Sequence, residues 1–165
     1  MEKLKYFYNN ILSSKIRFTF TNSLLTEKDC YNRYNNLSLQ IFNSQNNEIV
    51  INSSILETYL KNTFSDYSFI SSITKCILEP DVIKNEFDKD YKFVCLNYNL
   101  NHNWDFLDNL TFKEKQQTEL LVNSLCPPNC KNQIEHYKQI SNFQLTYGEP
   151  YDVKEKCLIT ETSLC

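Results

Sequence analysis

Glycine is almost missing from this chain: Gly148 is the only one in 165 residues. A loop that cradles phosphate needs glycine where the backbone turns sharply against its ligand, so neither a Walker loop nor a dinucleotide-binding fingerprint can be present. Positive charge is also scarce, with 17 Lys and Arg against 20 Asp and Glu, a net charge of −3 and a pI near 5.4. That balance gives no general field for holding a nucleic-acid backbone, although it leaves room for a local basic pocket. No window approaches the ~20 apolar residues of a membrane helix. The first residues are interrupted by Glu2, Lys3, Lys5, Asn9 and Asn10, so no secretory apolar core is expected and the expected setting is cytoplasmic. Neither a Ser-His-Asp order nor a pair of carboxylates in a credible environment supports hydrolase chemistry.

What the chain does contain is a sizeable apolar fraction, 41% hydrophobic and 14% aromatic. A chain of this length is expected to form one domain that hides roughly 70% of its extended surface. We place that domain at residues 1–147, with a tail at 148–165. The 7 cysteines are odd in number and lie on periodic segments, which fits reduced thiols better than a disulfide framework. Asparagine is abundant and takes over turn, cap and left-handed positions that glycine would otherwise fill.

Five short runs rich in β-branched and aromatic residues recur at 15–20, 48–51, 68–71, 91–96 and 118–122. Each is followed by a polar turn and a helical pattern, at 26–42, 54–64, 80–87, 103–117 and 131–145. This alternation predicts an α/β fold of parallel βα repeats, about five units arranged as an incomplete (β/α) barrel. Two open sheet edges would then favour self-association. In the first helical segment Cys30, Tyr34, Leu37 and Ile41 share one stripe, which makes Cys30 a core residue.

Parallel sheets build their sites at the carboxyl ends of the strands. Asn22, Asn52, Ser72, Asn97 and Asn123 each stand just past a strand, where capping is an equally good reason for an Asn or Ser. Thr74 and Lys75 follow the third strand, Asn97, Asn99 and His102 the fourth, and Asn123 the fifth. Together they would outline a polar pocket for an anionic or heavily hydroxylated ligand, with Lys75 as anion contact or solvated loop lysine and His102 as proton carrier or loop residue.

The same rim carries the sequence Cys126-Pro127-Pro128-Asn129-Cys130. The two prolines fix φ between the thiols, and Cys130 lies near a helix start whose dipole favours thiolate. Such a turn suits a metal, inert packed thiols, or a redox pair. For a metal, Cys126, Cys130 and Cys76 are the best first three ligands, with Cys157 as candidate fourth. His136 sits six residues beyond Cys130, so on a helix beginning directly after the turn it would point away. A helix start near Gln133 would remove that objection.

The segments RFTFTN (17–22), IVINS (49–53), FISSITKC (69–76), NYNLN (97–101), ELLVN (119–123) and CPPNC (126–130), with His136-Tyr137, resemble a group of bacterial and phage proteins distantly similar to the collagenase-like peptidase family. Better understood relatives of that family are iron–sulfur proteins implicated in RNA hydroxylation. The resemblance implies a βα-barrel, an iron–sulfur cluster with Cys126, Cys130 and Cys76 among its ligands, and an enzyme modifying RNA or another polar substrate. The alternatives are a noncatalytic interaction protein with structural zinc and a truncated, inactive remnant of a longer relative.

Overall fold

The structure, a computed structural model, describes residues 2–7, 15–124 and 126–146. Strands β1 (Arg17–Phe20), β2 (Glu48–Ile51), β3 (Ser68–Ser71), β4 (Phe93–Leu96) and β5 (Thr118–Leu120) form one sheet. Every pair is parallel and the spatial order is the chain order, β1-β2-β3-β4-β5. This is the incomplete βα-repeat arrangement expected from the sequence, and it does not close into a barrel.

Strand alternation and register assign each side chain to a face. One face carries Phe18, Phe20, Ile49, Ile51, Phe69, Val94 and Leu96; the last five belong to the buried core, and the two phenylalanines of β1 pack half-buried against it. Helices α3 (Arg33–Ile41), α4 (Ser54–Thr63) and α5 (Pro80–Asp88) cover it with Leu39, Leu56, Leu60, Ile83 and Phe87. The other face carries Arg17, Thr19, Glu48, Val50, Ser68, Ile70, Phe93, Cys95 and Glu119. Arg17 spans that face, donating to Glu48 on β2 at 2.9 Å and to Glu119 on β5 at 2.8 Å. Since β1 and β5 are opposite edges of the sheet, this face must be strongly concave.

The helices correct several expected boundaries. The segment 26–42 is two helices, α2 (Glu27–Cys30) and α3, because Asn32 ends the first and caps the second, accepting from the backbone N–H of Tyr34 and Asn35. The break rotates the expected stripe apart. Cys30 is buried as anticipated, but Tyr34 is 81% exposed and Leu39 replaces it in the core. The segment 103–117 likewise divides into α6 (Trp104–Asp108) and α7 (Phe112–Gln117), the latter started by a Thr111–Glu114 capping box. A short α1 (Glu2–Phe7) precedes the sheet. No helix among the described residues is long and apolar enough to cross a membrane.

The last helix, α8 (Gln133–Leu145), runs across the carboxyl ends of the strands. Near its start Gln133 accepts from Asn97 Nδ2 after β4 at 2.9 Å. Near its end the Ser141 carbonyl accepts from Asn22 Nδ2 after β1 at 2.9 Å, and Ser141 Oγ accepts from the Ser23 N–H at 3.1 Å. It also packs on the 3-10 turn Ile73–Lys75 that follows β3. Its buried residues are Gln133, His136 and Ser141, whereas Ile134 is 55% exposed. A helix that turns polar side chains inward and an isoleucine outward is not held by apolar burial.

Candidate metal centre

The turn after β5 is fixed by its neighbours on the rim. Tyr98 donates its hydroxyl to the Pro127 carbonyl, and the Asn129 N–H donates to Asn99 Oδ1 at 2.8 Å. The turn closes on itself where the Cys130 N–H reaches the Pro127 carbonyl at 3.2 Å, after which the Gln133 N–H reaches the Cys130 carbonyl at 3.3 Å. Asn129 lies at φ 58°, the left-handed region that a side chain normally disfavours. Among the described residues only Cys76, at φ 55°, shares that conformation outside glycine. Both left-handed residues therefore belong to the rim segments that carry the thiols.

Cys126, Cys130 and His136 converge, with one ligand atom from each within 4.8 Å of the others. Cys126 Sγ lies 3.2 Å from His136 Nδ1. Both thiols are half-buried, while His136 is buried and its Nε2 has no hydrogen-bond partner among the described residues. Nδ1 is the nitrogen that faces the thiol, so an ion shared with Cys126 would be held through Nδ1, with the ring proton on Nε2. The donor set of two thiols and an imidazole suits zinc and other borderline-soft ions. Three protein ligands can thus hold a metal ion here, with a coordination position left over.

His136 is the residue that a helix over 131–145 would have turned away. The helix starts at Gln133 instead, with Lys131 and Asn132 in a turn and the His136 N–H bonded to the Asn132 carbonyl at 2.9 Å. Starting two residues later rotates His136 back towards the thiols. The only sequence cue was the polar Asn129, Lys131 and Asn132 ahead of the apolar-polar repeat. Tyr98 and Gln133, which brace the turn and the start of the helix, carried no such cue.

Cys76 stands at the margin of this group. Burial pushes its thiol up to about 11, and the proximity of Cys126 adds to the shift. It is not one of the three converging ligands. Cys95, on the concave face, is likewise pushed up to about 11, first by burial and then by Glu119. Burial also raises Tyr137, whose hydroxyl is close enough to Cys76, Cys126 and Cys95 to feel all three. At neutral pH Cys76 and Cys95 are therefore thiols, and only a coordinated metal would make Cys76 a thiolate. Cys157 and Cys165 lie outside the described residues.

The remaining polar candidates serve varied roles. Lys75 donates to Glu86 Oε2 at 2.6 Å and to the Tyr91 hydroxyl at 2.9 Å, and lies 3.9 Å from Glu57. Its ammonium is thus matched by carboxylates on α4 and α5. Thr74 Oγ1 accepts from Asn52 Nδ2 at 2.7 Å and pairs with Ser72 Oγ at 2.8 Å. Asn97 and Asn99 join the cysteine turn to the strand ends, Asn97 through Gln133 and Asn99 through Asn129. His102 is exposed beside Trp104, and Asn123 is exposed. Asn97 and Asn99 therefore meet the cysteine turn, while Lys75 is engaged elsewhere.

Compared with protein-family models, with curated proteins and with solved structures, the chain matches none.

Proposed function

We propose that this chain is a metal-dependent α/β protein whose ion is held by Cys126, Cys130 and His136 at the carboxyl rim, with a fourth position open to a polar substrate. The observation that carries the proposal is the convergence of three ligand atoms within 4.8 Å, with the buried His136 presenting Nδ1 at 3.2 Å to the half-buried Cys126 thiol. A helix that served only to pack would have buried Ile134 instead. Catalytic zinc sites characteristically have three protein ligands and one exchangeable position, whereas structural zinc sites have four. Zinc bound here would supply Lewis acidity, and Tyr98, Asn99 and Asn129 would hold the turn in register for it. The half-exposed thiols leave the position reachable from solvent.

A second reading follows the resemblance to the collagenase-like peptidase family: an iron–sulfur cluster and modification of RNA. The observation favouring it is Cys76, near enough to Cys126 to raise its own pKa and set on a left-handed backbone that would aim it as a further thiolate. The net charge of −3 counts against an extended RNA footprint. Anaerobic purification with metal and acid-labile sulfide analysis separates the two. One equivalent of zinc without sulfide supports the first reading, and iron with stoichiometric sulfide supports the second. Protein that neither contains nor takes up a transition metal defeats both.

A further inference from the structure

A cavity of about 350 Å³ opens at the carboxyl end of β1, between α2, α3, α4 and the end of α8. Its size lies in the range of small-molecule sites, and its place on a parallel sheet is where such sites form. The wall is built from amides and hydroxyls over an apolar floor that includes Phe20, Leu39 and Leu60.

The polar groups retain unused valences. Tyr59 accepts from Asn36 Nδ2 at 2.9 Å, which leaves its own proton to donate. Asn36 Nδ2 also donates to the Cys30 carbonyl at 3.0 Å, so the amide is fixed while its Oδ1 takes no hydrogen bond from the described residues. Asn32 uses its Oδ1 to cap α3, leaving its Nδ2 as a free donor. Asp29 binds Thr26 through Oδ2 alone. The ring of Tyr59 is held edge-on by Tyr31 at 5.5 Å and Phe64 at 6.4 Å, so its hydroxyl is preset in position. No Lys or Arg lines the cavity, and its only formal charge is the Asp29 carboxylate. Donors and acceptors without a cation suit neutral hydroxyl groups and oppose phosphate.

We propose that this cavity is a binding site for a neutral, hydroxyl-rich small molecule of monosaccharide or nucleoside size, independent of the metal centre. Gln144 and Leu145 of α8 form one wall, at the end of the helix remote from His136.

The test is calorimetric titration of the full chain with D-glucose, uridine and uridine monophosphate. Saturable binding of glucose or uridine, with the monophosphate weaker than the nucleoside, is expected. Binding of uridine alone would assign the base as part of the ligand, and binding of both would assign the sugar. Tyr59→Phe should weaken binding about fivefold to tenfold. Asn35→Trp, on the exposed rim of α3, should abolish it by filling the mouth while circular dichroism and urea stability stay unchanged. Binding should persist in Cys126→Ser, which separates this site from the metal proposal. No saturation by either neutral probe through the millimolar range, or tighter binding of the monophosphate, would overturn it.

Discussion

Arg17 Nη1 on β1 lies 2.8 Å from Glu119 Oε1 on β5, although these strands are the two outermost of the sheet. In a flat sheet four strand spacings of about 4.8 Å would hold them roughly 19 Å apart. The contact therefore measures how far five strands have curled toward a barrel without closing. Glu48 lies between, with Lys15, Arg17 and Lys92 all paired to its buried carboxylate. This charged layer closes the amino end of the concave face, opposite the rim with the thiols.

Glu48→Gln should lower the urea-unfolding free energy by about 1–3 kcal/mol, because it leaves three cations converging without their anion. Glu119→Gln should cost less than about 1 kcal/mol, since both partners of that pair are more than a third exposed. Equal losses in the two variants would contradict the central place given to Glu48.

Stability should fall in acid through Glu86. Burial alone would raise its pKa, but hydrogen bonds from Lys75, Lys89 and Ser71 outweigh burial and hold the carboxyl at about 2, below its ordinary 4.5. A depressed carboxylate contributes stability that is complete above the unfolded value and is lost as pH falls from 4.5 towards 2. The contribution is on the order of 3 kcal/mol at neutral pH. Lys75→Met should shrink this acid dependence and lower stability at pH 7, as read from urea melts across the pH range. An unchanged acid limb would show that Lys75 does not hold the carboxylate.

Cys126→Ser, Cys130→Ser and His136→Ala should each weaken zinc binding by more than about 100-fold. Cys30→Ser should leave metal affinity intact and lower stability, because Cys30 is buried among apolar residues. Competition titration with a chromogenic chelator reads the first effect and urea melts the second. Full affinity in His136→Ala would remove the imidazole from the ligand set. Cys76→Ser distinguishes the metals: it should spare zinc affinity and destroy an iron–sulfur centre.

Asn99→Ala removes the acceptor of the Asn129 N–H and should weaken metal affinity about 10–100-fold without a large loss of stability. Asn129→Gly relieves the left-handed backbone and should be tolerated, while Asn129→Ala should cost about 1 kcal/mol. Metal affinity unchanged in Asn99→Ala would mean that the Asn99–Asn129 bond does not set the turn.

The outer edges of β1 and β5 have no further strand paired to them among the described residues. Leu120 and Val122 are exposed beside the β5 edge, at 45% and 96%. Concentration-dependent self-association through this edge is expected in light scattering, and Val122→Lys should suppress it. A monodisperse monomer at high concentration would refute the expectation.

The parallel order of five strands was legible because it follows from local pattern: short apolar runs spaced by helices allow only crossover connections. Cys30 was legible as core, and the rim positions Asn97 and Asn99 as strand-end residues, for the same local reason. The CPPNC turn announced itself through two thiols on a stiff backbone. Helix boundaries were less legible, since Asn32 and Asn132 both stand just before a helix while only Asn32 caps its helix through its side chain.

The sequence by itself determined the α/β repeat, the rim on which its polar residues gather and the thiols of the turn. Periodicity, capping and proline geometry act over a few residues, so the linear chain carries them whole. Only the tertiary structure decided that Arg17 meets Glu119, that Lys75 is matched by Glu86, and that α8 crosses the rim to bring His136 to Cys126. Such meetings depend on the curl of the sheet and on the residue at which a helix begins. A shift of two residues turns a helical side chain by about 200°, so a ligand set that includes a helix residue emerges only when the packed elements fix that phase.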